Sequence, residues 1–507
     1  MIPIIQNSRN FPFLGQSKNL KNLQSIFKPI FIVMRNYHQE TLYPKRLPLM
    51  TQIEGKNENI SQKKLIFNKI TKRSIESLGK TQGRLVILGS GWAGFKLLRD
   101  LNKEHYEAIV ISPRNYFVFT PLLASSSVGT LEFRCIMEPI RKYSPNIQYY
   151  QAYADKIDFK NQVIHCTSNL ELSKNKFSIP YDTLVIAVGA NSNTFGIKGV
   201  GDHALFLKDV SDARKIRQRV IECFEHASQP SMSEEEIIGL LHFAVVGGGP
   251  TGVEFSAELH DFITEDISRL YPRLMNKVTM TVYDVAPQIL GSFDVSLRDY
   301  ATKKFARKGI KIRTNTQVAE VTERKLVIKD NGDVPYGMLV WATGLTDNPF
   351  TRSMSDQVLK DQSAKRLLTD EFLRVLSKEN NQPIDNVYAL GDCATIKDND
   401  LPATAQVANQ KAKYLSKALN QIAKDRGSMV RTSPFVFRNL GSMAYIGKKE
   451  AVVDLTPVSE RAKEGGTIAW LFWRSSYFTM TVSLRNKLLI PMYWLLTWSF
   501  GRDISRF

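Results

Sequence analysis

Arg84-Leu-Val-Ile-Leu-Gly89-Ser-Gly91-Trp92-Ala93-Gly94 sets three glycines at G-x-G-x-x-G spacing, directly after an apolar strand and at the opening of a helix. The stretch Phe243-Ala-Val-Val-Gly247-Gly248-Gly249-Pro250-Thr251-Gly252-Val-Glu254 repeats the arrangement 158 positions later, counted from Gly89 to Gly247. In each, the first glycine allows the tight turn and the second lets the backbone approach a pyrophosphate. The third lets the helix pack close against the strand. The helix N-terminus then offers unpaired N–H groups to the phosphates. One such motif arises by chance in a chain of this length. Two, each in a strand–turn–helix context, imply that two dinucleotides are held at once.

The flanking sequence supports an α/β fold. The first unit predicts a strand over Leu85–Leu88, a helix from Trp92 to about Asn102 and a strand over Ala108–Ile111. In the second, Leu259, Ile263, Ile267 and Leu270 recur at spacings of three and four, giving one buried helix stripe before a strand over Val278–Tyr283. Two apolar strands end in small residues, at Gly189 and at Thr343-Gly344, a faint internal repeat. Val318–Ile328 with the turn Asp330–Asp333 reads as a β-hairpin. Where the second strand of the first unit ends, an acid to bind a ribose is missing and Ser112-Pro113-Arg114 stands instead. In the second unit Asp284 stands there, placed to accept hydrogen bonds from an adenosine ribose and to repel a 2′-phosphate, which favours NADH over NADPH. Glu254 falls in the first turn of its helix, where the N-terminus stabilises a carboxylate. It is read either as a helix-start acid or as a residue facing the nicotinamide and flavin rings.

The net charge of +19 is unevenly spread. Residues 1–82 hold 14 Lys and Arg against Glu40, Glu54, Glu58 and Glu76, so +10 lies there and the remainder gives no case for a nucleic-acid groove. The first 50 residues carry seven basic residues and one acid, with Arg35-Asn36-Tyr37-His38 resembling a matrix-protease cleavage pattern, so a mitochondrial presequence is expected. Cys135, Cys166, Cys223 and Cys393 form no C-x-x-C pair, which argues against a redox dithiol or a zinc site. The last 40 residues mix Trp470, Trp473, Trp494 and Trp498 with Arg474, Arg485 and Lys487. Their longest apolar run, 488–500, contains Pro491 and falls short of the ~20 residues of a membrane span. This segment is expected to lie on a membrane rather than cross it.

Ser112-Pro-Arg-Asn-Tyr-Phe-Val-Phe-Thr120-Pro121-Leu122-Leu, Gly247–Glu254, Leu390-Gly391-Asp392 and Thr404-Ala-Gln406-Val-Ala-Asn409-Gln410 resemble the type II (alternative, non-proton-pumping) mitochondrial NADH:ubiquinone oxidoreductases, from about residue 84 to the C-terminus. The resemblance implies FAD at the first fingerprint, NADH at the second, a membrane-associated C-terminal helical segment, and electron delivery to ubiquinone without proton pumping. It implies Asp392 at the flavin ribityl–phosphate portion and Thr120, Pro121 and Leu122 beside the isoalloxazine. Gln406 and Gln410 fall on glutamines that line the quinone end of the flavin. Many mitochondrial members carry His where this chain has Asn409, which can hydrogen-bond a quinone carbonyl but cannot donate a proton near neutral pH. No EF-hand insertion and no metal site are expected.

The resulting organisation is a presequence and basic linker (1–82), an FAD-binding domain in two parts (83–205 and 351–430), an NADH-binding domain (206–350) and a membrane-anchoring C-terminal domain (431–507). The expected location is the inner mitochondrial membrane, peripheral, with the matrix side favoured, and a homodimer is compatible with the resemblance. Two other readings remain open from sequence: an FAD-dependent NADH reductase of a ferredoxin- or rubredoxin-like protein, and an NADH-sensing signalling flavoprotein.

Overall fold

A computed structural model describes residues 83–143, 147–170, 175–330, 332–425 and 433–505. The expected presequence and linker lie outside the described residues. Strand β1 (Arg84–Leu88) runs in parallel between β2 (Glu107–Ser112) and the strand Thr183–Ile186, within a mixed ten-stranded sheet. Leu85, Val86 and Ile87 are fully buried. A strand covered on both faces is apolar throughout rather than alternating. Helix α1 (Trp92–Asp100) ends two residues earlier than the sequence pattern predicts. The Asn102 backbone N–H is taken by the Asn420 side chain, which stops the helix there.

The chain leaves this sheet after Thr183–Ile186, builds a second one, and returns through the strand Pro383–Ala389 beside Thr183–Ile186. The second sheet is parallel throughout, with β3 (His242–Val246) between β4 (Thr279–Tyr283) and Met338–Trp341. The two crossing segments pair with each other, Asn191–Ser192 antiparallel to Leu345–Thr346. The fold class is therefore α/β with two Rossmann-type sheets. The expected hairpin is instead a three-stranded antiparallel meander, Val318–Val321, Lys325–Ile328 and Gly332–Pro335, because Arg324 and Asp330 each mark a separate reversal.

Helix α2 (Pro250–Phe262) continues into a π-helical turn over Ile263–Ile267. The extra residue in that turn shifts the helical phase of the residues C-terminal to it. Leu259, Ile263 and Ile267 are buried as the spacing predicts, but Leu270 emerges 52 % exposed, against expectation. Helix α3 (Ala405–Lys424) covers α1. A three-stranded sheet (Ser442–Gly447, Glu450–Asp454, Lys463–Gly466) packs on α2, followed by helices α4 (Thr467–Met480) and α5 (Leu484–Phe500). No helix among the described residues is long and apolar enough to cross a membrane.

Candidate active site

At the first fingerprint Gly89 has φ +105°. A Cβ on Gly94 would lie 2.0 Å from the Gly89 carbonyl oxygen, whereas one on Gly91 would meet nothing within 4 Å. The third glycine is thus required by the protein's own packing, and the second leaves open space at the mouth of the turn. The turn opens into a cleft of about 850 Å³ lined by Gly89, Gly91, Trp92, Ala93, Ser112, Thr120, Gly189, Gly391 and Asp392, among others. That volume lies at the upper end of ligand sites, ~300–1,000 Å³. Trp92 Nε1 donates to Thr120 Oγ1 at 2.9 Å, and the hydroxyls of Ser90 and Ser112 sit 2.9 Å apart. Pro121 and Leu122 do not line the cleft; Leu122 is turned fully into the core.

Asp392 sits in the short turn Gly391–Cys393 that ends the strand Pro383–Ala389. Burial pushes its pKa up, opposed by the charges of Lys208 and Arg366. Its carboxyl has no hydrogen bond among the described residues, although it faces the cleft. An orphaned carboxyl, a helix N-terminus at Gly91 with no side-chain cap and the free space beside Gly91 together fit a dinucleotide such as FAD.

The second fingerprint repeats the geometry. Gly247 has φ +114°, a Cβ on Gly252 would lie 1.9 Å from the Gly247 carbonyl oxygen, and Gly249 is open. Pro250 and Thr251 begin α2 with an uncapped N-terminus at Gly249. Asp284 accepts from the Gly248 and Ala286 backbone N–H groups, the latter at 2.7 Å. A carboxylate offers about four lone pairs, so sites remain for sugar hydroxyls. Thr343 packs against Gly247, and Gly344 (φ +66°) lies under the Phe195 ring.

Glu254 is the fifth residue of α2, so it lies beyond the first turn, where the sequence pattern sets it, and the helix N-terminus is not what holds it. It is buried, and its Oε1 accepts from Tyr445 N–H and Trp473 Nε1, both at 3.0 Å. Burial raises its pKa to about 8. Trp473, expected among the membrane-lying aromatics, instead points inward to this carboxyl. Gln406 and Gln410 are both committed to backbone. Gln406 accepts from Leu440 N–H (2.9 Å) and donates to Gly441 C=O (3.3 Å), while Gln410 accepts from Arg438 N–H (3.0 Å) and donates to Arg438 C=O (2.8 Å). Asn409, half-buried on α3, is not part of this clamp.

The family profile of the pyridine nucleotide-disulphide oxidoreductases matches residues 83–412, and that of the NDH2 C-terminal domain matches residues 439–503. A probable NADH dehydrogenase of Dictyostelium discoideum is 42 % identical, over 89 % of this chain and 99 % of its own. The mitochondrial internal alternative NAD(P)H-ubiquinone oxidoreductase A1 of Solanum tuberosum is 40 % identical, over 96 % of this chain and 99 % of its own. The solved structure of NDH2 from Plasmodium falciparum in complex with NADH matches with TM-score 0.76 at 29 % identity, covering 83 % of this chain and 99 % of that one.

The chain belongs to the type II NADH dehydrogenase family. Within that family frame, the structure adds cleft residues that the fingerprints did not single out. Lys208 donates to the Ala190 carbonyl at 2.6 Å opposite Asp392, and burial pulls its pKa down. Asn348 donates to the Val188 and Gly189 carbonyls and so fixes the Gly189 turn. One signal was available in sequence: Asp209 and Asp212 form a capping box, which marks Lys208 as the residue just outside a helix start.

Proposed function

We propose that the protein is an NADH:ubiquinone oxidoreductase that uses FAD and moves no protons across the membrane. The observation that carries this reading is the pair of glycine cradles of the same geometry, one of them opening on a dinucleotide-sized cleft. Family membership and relatives named as NAD(P)H-ubiquinone oxidoreductases support ubiquinone as the acceptor. When bound, FAD supplies the two-electron chemistry between nicotinamide and quinone that side chains lack. Gly89, Gly91, Trp92, Ala93, Gly94, Ser112, Thr120 and Gly189 would hold it, with Gly391 and Asp392, while Pro121 and Leu122 shape the loop that carries Thr120. Gly247 to Gly252, Asp284, Thr343 and Gly344 would hold NADH.

Glu254 bonds to Tyr445 and Trp473 of the C-terminal module, while Gln406 and Gln410 bond to Leu440, Gly441 and Arg438 at its start; we assign the quinone, with Asn409 beside those glutamines on α3, to that seam. Both hydrogen bonds to Glu254 fall on Oε1, so the proton it keeps up to about pH 8 belongs on Oε2. Asn409 can orient a quinone carbonyl without supplying a proton. The domain limits proposed are 83–205 with 351–430 for FAD, 206–350 for NADH and 431–507 for membrane attachment, with two chains pairing through the last. The relatives' mitochondrial names support a mitochondrial location. The matrix face of the inner membrane is favoured: internal relatives align over 96 % of the chain, external ones over 83–85 %.

Purified, flavin-loaded protein should oxidise NADH when a short-chain ubiquinone analogue is supplied, and protein stripped of flavin should not. Protein that takes up no flavin, or that reduces a ferredoxin-like protein and not the quinone, overturns the proposal.

A further inference from the structure

Helices α4 and α5 span residues 467–500 and contain three cations, Arg474, Arg485 and Lys487, and no acid. None of the three has an ion pair or hydrogen bond to its side chain among the described residues. Arg485 and Lys487 sit in the first turns of α5, where the positive end of the helix dipole disfavours cations. Internal packing therefore does not account for them. Arg474 is held differently. Its guanidinium lies 3.8 Å from the Trp494 ring centroid and 4.9 Å from that of Trp470, clamped between the two helices. Both rings lie within cation–π range of the guanidinium, whose N–H groups have no hydrogen-bond acceptor among the described residues. The carboxylate nearest in effect, Glu258, is buried and already bonded to Ser125 and Thr130. Burial lowers the Arg474 pKa to about 10, so it stays charged at any physiological pH.

Leu471, Leu488, Met492, Leu495, Trp498 and Phe500 are exposed on the same two helices. An apolar face with unpaired cations and no acids is complementary to the boundary between acyl chains and anionic headgroups. Resting on the membrane-attachment reading above, we propose that the Trp470–Arg474–Trp494 clamp is a binding site for the phosphate of an anionic phospholipid, with Arg485 and Lys487 as general attractors. The guanidinium fork takes two phosphate oxygens side by side, a geometry that a lysine at this position would not reproduce.

The test is vesicle partition of the full, flavin-loaded chain, wild type against Arg474→Gln, Arg474→Lys and Arg485→Gln. Vesicles are either purely zwitterionic or contain about one third anionic lipid. A diffuse surface charge is worth about fivefold in partition per cation. A desolvated, bidentate contact is worth tenfold or more. The expected result is that Arg474→Gln and Arg474→Lys each lose roughly tenfold on anionic vesicles, Arg485→Gln loses about fivefold, and all retain flavin and the reduction of a water-soluble acceptor. Equal losses at 474 and 485, or full rescue by lysine, would reduce Arg474 to one surface charge among three and overturn the site. Release of wild type by inorganic phosphate, beyond release by chloride at the same ionic strength, would reassign the clamp to a free anion and overturn it too. If wild type bound anionic and zwitterionic vesicles equally, the headgroup site would fall while membrane attachment stood. If it bound neither, both would fall.

Discussion

The two glycine cradles share one backbone and differ in what surrounds it. Gly89 and Gly247 both take positive φ, Gly94 and Gly252 both touch the carbonyl of their own first glycine, and Gly91 and Gly249 both face open space. Beyond the turn the likeness ends. Ser112 closes β2 with a hydroxyl pair to Ser90, whereas Asp284 closes β4 with a carboxylate that binds the loop of its own fingerprint. Two residues past the third glycine, α1 carries Lys96 in a partly exposed pair with Asp100. At the same place α2 carries Glu254, buried under the C-terminal module. The shared motif thus fixes the backbone turn, and the residues beyond it differ in the chemistry they offer at the strand end and in what the helix supports.

The comparison breaks most sharply at the third glycines. Gly94→Ala and Gly252→Ala each force a Cβ to within about 2 Å of a backbone oxygen, and such overpacking should cost more than about 3 kcal/mol. Gly94→Ala should yield colourless protein in an absorbance spectrum, while any Gly252→Ala protein that folds should keep flavin and lose NADH oxidation. Gly91→Ala, which meets nothing, should change stability by less than about 0.5 kcal/mol and still lower flavin occupancy. Equal thermal melts for Gly91→Ala and Gly94→Ala would refute the division of roles between packing and ligand.

The buried carboxyl of α2 carries the next largest effect. The folded protein holds the Glu254 proton up to about pH 8, while the unfolded chain releases it near the ordinary 4.5. Across that window the folded state binds more protons, so stability falls as pH rises. Glu254→Gln keeps an oxygen for Tyr445 N–H and Trp473 Nε1 and has no proton to lose. Its gain over wild type should grow from under about 1 kcal/mol at pH 5 to roughly 4 kcal/mol at pH 8 and above, read by denaturant melts. A gain independent of pH would mean that the wild-type carboxyl is already ionised in the folded state. Lys96→Met, at the matching place on α1, should show no such pH dependence.

A smaller effect tests the ribose position. Asp284→Ser gives the second cradle the side chain of the first. The hydroxyl can still serve the Gly248 N–H, but the negative charge that would repel a 2′-phosphate is gone. KM for NADH should rise about tenfold, the loss of roughly one charged hydrogen bond, and NADPH should become the less disfavoured partner. Flavin content should not move. Steady-state rates with both nucleotides decide it, and an unchanged NADPH-to-NADH ratio would detach Asp284 from the ribose.

How far the sequence carries depends on the reach of each interaction. The cradles are legible because a glycine's φ and its contact with a carbonyl five residues back are local facts, written within a dozen residues. Glu254 is legible as a residue but not as an environment: its partner Trp473 is 219 positions away, and the aromatic, basic composition of α4 gives no sign of which ring turns inward. The π-helical turn after α2 is invisible for a related reason. The apolar spacing is regular through Ile267, and only the exposure of Leu270 reveals the added residue. Lys208 escapes notice because it works across two crossovers of the chain, against the Ala190 carbonyl and Asp392.

The least effect, and the one that most sharpens the contrast between the cradles, is expected at Gln410. Helix α3 covers the first fingerprint helix, as Tyr106 and Asn420 pin it there through the Leu419 and Asp100 carbonyls. Gln410 then ties α3 to the backbone of Arg438, just ahead of the sheet that buries Glu254 on α2. The C-terminal module is therefore fastened to the first cradle by glutamine-to-backbone bonds and to the second by a buried carboxyl. Gln410→Ala removes two partly exposed hydrogen bonds and should destabilise by about 1 kcal/mol. If those bonds only position the seam, KM for a quinone should rise severalfold while kcat, KM for NADH and the rate with a water-soluble acceptor hold. A fall in kcat with the soluble acceptor as well would mean that the loss reaches the flavin cleft itself, and that the two fastenings are not separable.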